Sequence, residues 1–404
     1  MNTGFSASPV ILASGLLLVA SACATTQQQP SEAERQGDLY YKRGAFHLAL
    51  PHYERAASQE PENERVSARL EETRQALFTQ RLTTSRESFD QGSARAGIDA
   101  FSRAMHELGA DYPGMDTFAE EAYRRADSAA RAAVSRKDFQ NAFELQLLIA
   151  TEFPDERANA KQQLARIRQQ WLDRLEARAH ADEDQRLWGS ALLTWSKAAQ
   201  LDREQVKYAE HRERMRERIL DRYAFQVVMP QDTLAQPAST IAAHLERVRW
   251  PEGMKLSLLS EPESAHGVEI ATEFGSPVCR ASTSVSARQC ETIFELELVP
   301  FDKRLSSQTV REQLRAEGRD DSAIQNELYT MSARLVQTAL EREFAIYRAS
   351  LVEDAKKIPL QRARIDAEIR AIILAPDLAT PARVREIEEV SGFQNTLHLL
   401  LHPS

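Results

Sequence analysis

Apolar positions recur every three to four residues through the first half of the chain, among residues rich in Ala, Glu, Arg, Gln and Leu, which are strong helix formers. The period predicts helix after helix from 31 to about 223, and Pro154 and Pro230 bracket 75 residues without a proline. Between Phe225 and Phe301 the period changes to two. Met254, Leu256 and Leu258 alternate with Lys255 and Ser257, Val268, Ile270, Thr272 and Phe274 with Glu269, Ala271 and Glu273, and Phe294, Leu296 and Leu298 with Glu295 and Glu297. This alternation predicts half-buried strands in an antiparallel setting, with one helix around 239–249 and a break, read as a bulge, at Gly275 and Pro277. Helical spacing then returns. Thr309 with Glu312, and Ser322 with Gln325, read as capping boxes. Ile324, Leu328, Met331, Leu335, Phe344, Tyr347 and Leu351 trace one stripe that Pro359 stops. A further helix is expected over 360–376, and another opened by Thr380 and Pro381 and closed by Gly392. The apolar tail at 396–401 reads as a strand returning to the sheet.

Within the first region Gly37, Tyr40, Gly44, Ala49, Tyr53, Ala56 and Pro61 fall on the spacing of a helix-turn-helix unit of roughly 34 residues. Small residues at a crossing let two helices nest, aromatic rings fill the space beside them, and Pro61 ends the second helix. These positions resemble the tetratricopeptide repeat. Gly92, Gly97, Phe101 and Ala104 repeat the second-helix spacing, as do Ala142 with Pro154 and Ala191, Trp195 and Ala198. The small residues Ala49, Gly97, Ala142 and Ala191 stand at equivalent positions 48, 45 and 49 apart, so the first helices or the connections are expected to be extended. For these later units an irregular helical bundle is the alternative.

Residues 10–22, VILASGLLLVASA, form an uncharged run too short to span a ~30 Å hydrocarbon core. The run ends in Ala20, Ser21, Ala22 and Cys23, and so resembles the lipobox of bacterial lipoproteins. That resemblance implies a cleaved leader over 1–22, lipid on the sulfur of Cys23, and multiple acyl chains for stable anchoring. An ordinary secretory leader cut near Ala22 is the alternative. Residues 23–31 read as a flexible polar tether, and 24–31 span at most ~28 Å. Ala24, where an aspartate retains such proteins at the inner membrane under the enterobacterial sorting rule, implies the periplasmic face of the outer membrane. In an oxidising compartment Cys279 and Cys290 are expected to form a disulfide across a hairpin whose tip lies near Ser284 and Val285. The closed loop contributes about 3 kcal/mol in the chain-entropy model. Two free thiols are the alternative, and no His lies near either cysteine at metal-ligand spacing.

The expected fold is therefore α+β and mostly α: a tetratricopeptide-like helical solenoid over 32–223, a small antiparallel β domain with the disulfide hairpin over 224–305, and a C-terminal helical region over 306–404. Lys plus Arg number 51 against 60 Asp plus Glu, a net charge of −9, which argues against nucleic acid as a partner. With only 14 Gly in 404 residues and no HExxH, GxSxG, P-loop or GxGxxG pattern, no cofactor, metal or catalytic residue is expected. His398 and His402 read as a packed terminal segment, and His180 beside Asp182, Glu183 and Asp184 as a solvated turn. Residues 211–217 (HRERMRE) read as an exposed charged face, and Glu269/Glu273 and Glu295/Glu297 as the solvated side of the sheet.

For recognition, the inner positions of the first repeat are Glu34, Asp38 and Tyr41. Repeats that clamp a peptide carboxylate place Lys and Asn at the first two, and acids there imply a basic or neutral protein surface instead, with Tyr41 as an anchor. The expected function is a non-enzymatic, membrane-tethered scaffold for other envelope proteins. The alternatives are an envelope enzyme or glycan-binding module in 225–404, or a soluble periplasmic chaperone.

Overall fold

A computed structural model describes residues 29–229, 238–257, 264–281, 287–359, 361–393, 396–397 and 400. The fold is α+β and mostly helical, and the chain forms two compact units, 1–163 and 164–404. No helix among the described residues is long and apolar enough to cross a membrane.

The first unit contains α1 (Glu32–Lys42), α2 (Phe46–Gln59), α3 (Glu64–Asp90), α4 (Ala94–Leu108), α5 (Met115–Ser135), α6 (Phe139–Glu152), a 3₁₀ turn at Pro154–Glu156, and the start of α7 (Arg157–Asp184). Each helix from α1 to α6 packs on the next, and α3 also meets α5 and α4 meets α6. Side chains satisfy free amides at several starts: Ser31 accepts from the Glu34 amide, Asn63 from those of Arg65 and Val66, and Asp138 from that of Asn141. The small residues picked out in the sequence lie at the crossings. Ala49, Tyr53 and Ala56 are fully enclosed, and a Cβ on Gly37 would come within 3.0 Å of the Tyr53 ring. On α4, Gly97 presses on Phe89 so closely that a Cβ would sit 2.5 Å from the ring. The long spacing between units is taken up by α3, α5 and α7, of 27, 21 and 28 residues, as the extended-helix expectation required.

The second unit begins within α7 and continues through α8 (Trp188–Leu201) and α9 (Val206–Tyr223). The last helices of the expected repeat region thus belong here, because α8 packs on α9 and on α12 (Gln361–Leu374). Buried ion contacts join them. The Gly189 amide donates to Asp366 Oδ1 at 2.7 Å, Arg370 reaches Asp366 at 2.8 Å, and Asp182, fully enclosed, accepts from Ser190 Oγ at 2.8 Å and meets Arg362 at 3.0 Å. The expected solvated turn at His180–Asp184 is therefore the last turn of α7, with Asp182 inside.

The sheet comprises β1 (Phe225–Val228), β2 (Met254–Ser257), β3 (Gly267–Phe274), β4 (Val278–Ala281), β5 (Arg288–Pro300) and β6 (Gln308–Gly318). β1 lies between β2 and β3 and runs parallel to both, while β3, β4 and β6 are antiparallel to β5. The sheet is mixed, which corrects the expected all-antiparallel arrangement. All four residues of β1 are buried, the pattern of a parallel strand covered on both faces, and α10 (Ala238–Leu245) supplies the crossover from β1 to β2. Gly267 is required where β3 meets β1: its φ is +143° and a Cβ would lie 1.8 Å from the Gln226 carbonyl oxygen. β3 and β4 follow one another along the same edge of β5, interrupted after Gly275 as the bulge expectation placed it.

A second correction concerns 308–318. Thr309 and Glu312 cap no helix. They pair with Glu297 and Phe294 in the β5–β6 ladder, and Leu314 and Ala316 face the core. The long helix α11 (Asp321–Lys357) is capped by Asp320 and not by Ser322, and the Asp320 side chain accepts from the Ala323 amide. Of the expected stripe Ile324, Leu328, Phe344 and Tyr347 are buried and Met331, Leu335 and Leu351 half-buried, while Val336 and Leu340, outside that stripe, are fully enclosed; all pack in one cluster with Phe225, Ile270, Phe294, Leu296 and Leu298. α12 follows, and α13 (Pro381–Ser391) has Thr380 as its cap and Gly392 in the left-handed conformation at its end, as expected. The expected terminal strand falls largely outside the described residues.

Candidate functional site

The three positions singled out for recognition have different fates. Glu34 is 2% exposed and receives a hydrogen bond from Arg65 Nη2 at 2.5 Å, so its carboxylate joins α1 to α3 and does not face a partner. Its place on the expected inner face is corrected by that burial and by the bond to Arg65. Asp38 accepts from the Tyr53 hydroxyl at 2.6 Å, and burial, with Asp38 beside it, pushes the Tyr53 phenol up. Both acids are engaged within the first hairpin or its junction with α3.

Tyr41 is the one that remains on a rim. Its ring meets Phe46 edge-on at 5.2 Å, with the Arg69 guanidinium 5.8 Å from its centre. Tyr41 and Phe46 line, with α3, an open groove of about 600 Å³. Two rows at i,i+4 spacing form its α3 side: Gln75, Thr79 and Thr83, and Ala76, Gln80 and Thr84. Glu72 is the single charged lining residue, and Arg69 pairs with it at 2.7 Å. The surface therefore offers two aromatic rings and a field of hydroxyls and amides that can donate or accept. Reading Tyr41 by its repeat position missed these rows. The signal was available in the sequence as uncharged residues recurring every four along a helix otherwise studded with Glu and Arg.

In the second unit the Cys279–Cys290 disulfide is formed, between directly paired residues of β4 and β5 with Cα atoms 4.0 Å apart. The hairpin tip at Ser284 and Val285 lies outside the described residues. Glu269, Glu273 and Glu297 are exposed and Glu295 is half-buried, as the alternation required, and Arg315 meets Glu291 on the β5–β6 ladder at 2.9 Å. Residues 211–217 depart from an exposed face at Met215, which is enclosed, and at His211, whose ring stacks on Trp195 at 4.4 Å.

One further titratable group stands in the second unit. His266 Nδ1 lies 2.8 Å from Asp302 Oδ2, between the rings of Tyr223 and Tyr347. Burial lowers the His266 pKa, with Asp302 opposing the shift. Arg304 binds both Asp302 and Asp354, so the histidine and its carboxylate tie the segment after β5 to α11. Among the described residues no group of three or more His, Cys, Asp or Glu is placed to hold a metal ion. Cys23, His398 and His402 lie outside the described residues. No protein-family model matches the chain, and no curated protein sequence matches it.

Proposed function

We propose that the protein is a lipid-anchored platform on the periplasmic face of the outer membrane, holding a segment of another envelope protein in the α1–α3 groove. The observation that carries this reading is the absence of charge from that groove apart from Glu72, in a chain of which 27% is charged. Desolvating hydroxyls and amides costs far less than desolvating ions, and protein interfaces are correspondingly depleted of charge at their centres and enriched in aromatic anchors. Tyr41 is the anchor in this reading, and the threonine and glutamine rows bond the backbone of the bound segment. The leader and Cys23 supply the tether, as the lipobox resemblance implies.

The test is a photo-crosslinking residue placed at Thr83, or at exposed Ser135 on α5 as control, in protein expressed in its native host. One crosslinked partner is expected at Thr83 and none at Ser135. Tyr41→Ala is expected to lower the yield about tenfold, the loss of a modest hot spot. Equal capture at both positions, or capture indifferent to Tyr41, refutes the groove. Cys23→Ala is expected to move the protein from the membrane to the soluble fraction, and retention after a salt wash would remove the lipid from the reading.

A further inference from the structure

A second depression in the first unit has the opposite character. It holds about 470 Å³ between α4, α5 and the end of α6. Its floor is apolar: Phe101 stacks on Phe153 at 4.8 Å, Tyr123 tilts against Phe153 at 5.9 Å, and Met105 and Met115 complete it. Its rim carries five carboxylates: Asp116 and Glu120 on α5, Glu152 at the end of α6, and Asp155 and Glu156 on the 3₁₀ turn. No lysine or arginine is among the thirteen lining residues, although the chain as a whole has 51 bases to 60 acids.

Little inside the fold neutralises that rim. Glu120 has Arg124 at 3.8 Å, an exposed pair of small worth. Glu152 accepts from Ser102 Oγ at 2.5 Å, and Glu156 lies beside the Tyr123 hydroxyl, where it adds to the effect of burial in pushing the phenol up. Asp116, Glu152, Asp155 and Glu156 have no salt bridge among the described residues. An aromatic and methionine floor rewards burial of an apolar side chain, while a ring of acids without basic partners rewards cations at its edge. A small ligand with one cation leaves most of the ring unmatched, whereas a peptide carrying several along its length does not.

The geometry points to this depression as a docking site for a protein segment in which lysine or arginine flanks a leucine-like or aromatic anchor. It rests on the partner-docking reading above and assigns that partner a second, basic contact. The charge complementarity that selects the occupant also makes binding salt-sensitive, as exposed charges a Debye length apart are screened.

The experiment uses the full chain in detergent and labelled synthetic peptides: leucine with lysine at helical spacing, leucine with glutamate in the same pattern, and lysine with serine. The leucine–lysine peptide is expected to bind, and the other two to bind at least about tenfold more weakly. Replacing Glu120→Gln, Asp155→Asn and Glu156→Gln together is expected to weaken it about tenfold at low salt and little at high salt. Ala119→Trp, which fills the floor, is expected to abolish it, with retained helicity and retained Thr83 crosslinking showing that the unit is folded. Equal binding of the glutamate or serine peptide, no binding of the lysine peptide, or indifference to the charge removal overturns the proposal. Tyr41→Ala separates the two readings. If it removes the leucine–lysine peptide, the occupant sits in the first groove and this site fails alone, whereas a Thr83 crosslink that is indifferent to Tyr41→Ala, with peptide binding intact, sinks only the groove.

Discussion

The two units handle buried charge in different ways. In the first, the enclosed carboxylates Glu34 and Asp127 are each met by an arginine that stays largely in water, Arg65 with 57% and Arg131 with 74% of its side chain exposed. In the second, Arg383 and Glu368 are both inside, with side chains 7% and 4% exposed and a 2.5 Å contact between them. Asp182 and Asp366 are also sunk between α7, α8 and α12, but their arginines reach water, Arg362 with 45% and Arg370 with 22% of the side chain exposed, so Arg383–Glu368 is the pair with both ends inside. A pair with one end in water costs little to form and gives little, so the first unit is held mainly by its close helix crossings. A pair with both ends inside is costly to assemble and more costly to break, so it rewards one arrangement of the second unit's helices over others.

The sharpest way to break this contrast is to remove one end of the enclosed pair. Arg383→Met leaves Glu368 with only Arg364, 3.8 Å away and a third exposed. The opening free energy of α12 and α13 amides, read by native-state hydrogen exchange, is expected to fall by about 3 kcal/mol, while α1–α5 stay unchanged. Adding Glu368→Leu is expected to restore most of it. The Arg383 Nη1 and Nη2 atoms are buried with no hydrogen-bond partner, so the native pair is not optimally solvated and an apolar pair forfeits little. A double variant as unstable as the single one refutes the desolvation argument.

A smaller effect of opposite sign is expected at Glu343 on α11, 1% exposed, whose carboxylate accepts from Gln308 Nε2. Burial raises its pKa, so the folded state holds its proton more tightly than the unfolded chain does. Stability is therefore lost as pH rises from the unfolded value of about 4.3 through the folded one, and the full cost stands at neutral pH. Glu343→Gln keeps the acceptor and removes the ionisation. Amides of α11 are expected to gain about 1 kcal/mol at pH 7, with the gain vanishing toward pH 4. A gain independent of pH would trace the effect to packing.

These same buried contacts mark where sequence reading stops. The helices were legible because their stripes and caps are local: the crossing residues Gly37, Ala49, Tyr53 and Ala56, the Ile324, Leu328, Phe344 and Tyr347 positions of α11, and the Thr380 and Gly392 ends of α13 stand where the spacing put them. The disulfide was legible because Cys279 and Cys290 stand 11 residues apart across an expected hairpin in a compartment read as oxidising. β6 was not. Its Thr309–Glu312 spacing satisfies a helix cap in isolation, and only the open edge of β5 makes a strand of it. β1 is four residues long, too short for alternation to be visible, so its parallel pairing is decided by α10 and by Gly267. Glu34 was misplaced because its partner is 31 residues away. The groove rows on α3 were overlooked because threonine and glutamine carry no chemistry alone and matter only when stacked four apart beside Tyr41 and Phe46.

The smallest expected effect tests the other half of the contrast. Arg86 on α3 meets Glu121 on α5 in a fork, with Nε and Nη2 both donating, and the pair is 50% and 20% exposed. The hydrogen bond from Arg86 holds the Glu121 carboxyl below its ordinary value. A depressed folded pKa contributes stability that is present above about pH 4.3 and fades as pH falls through the folded value. Screened by solvent, the pair is worth about 0.5 kcal/mol, and a double-mutant cycle of Arg86→Ala and Glu121→Ala is expected to return a coupling of that size at pH 7 and none at pH 3. A coupling near the loss expected for Arg383 would mean that the first unit also depends on its ion pairs, and the distinction between a unit held by crossings and one held by enclosed charge would be lost.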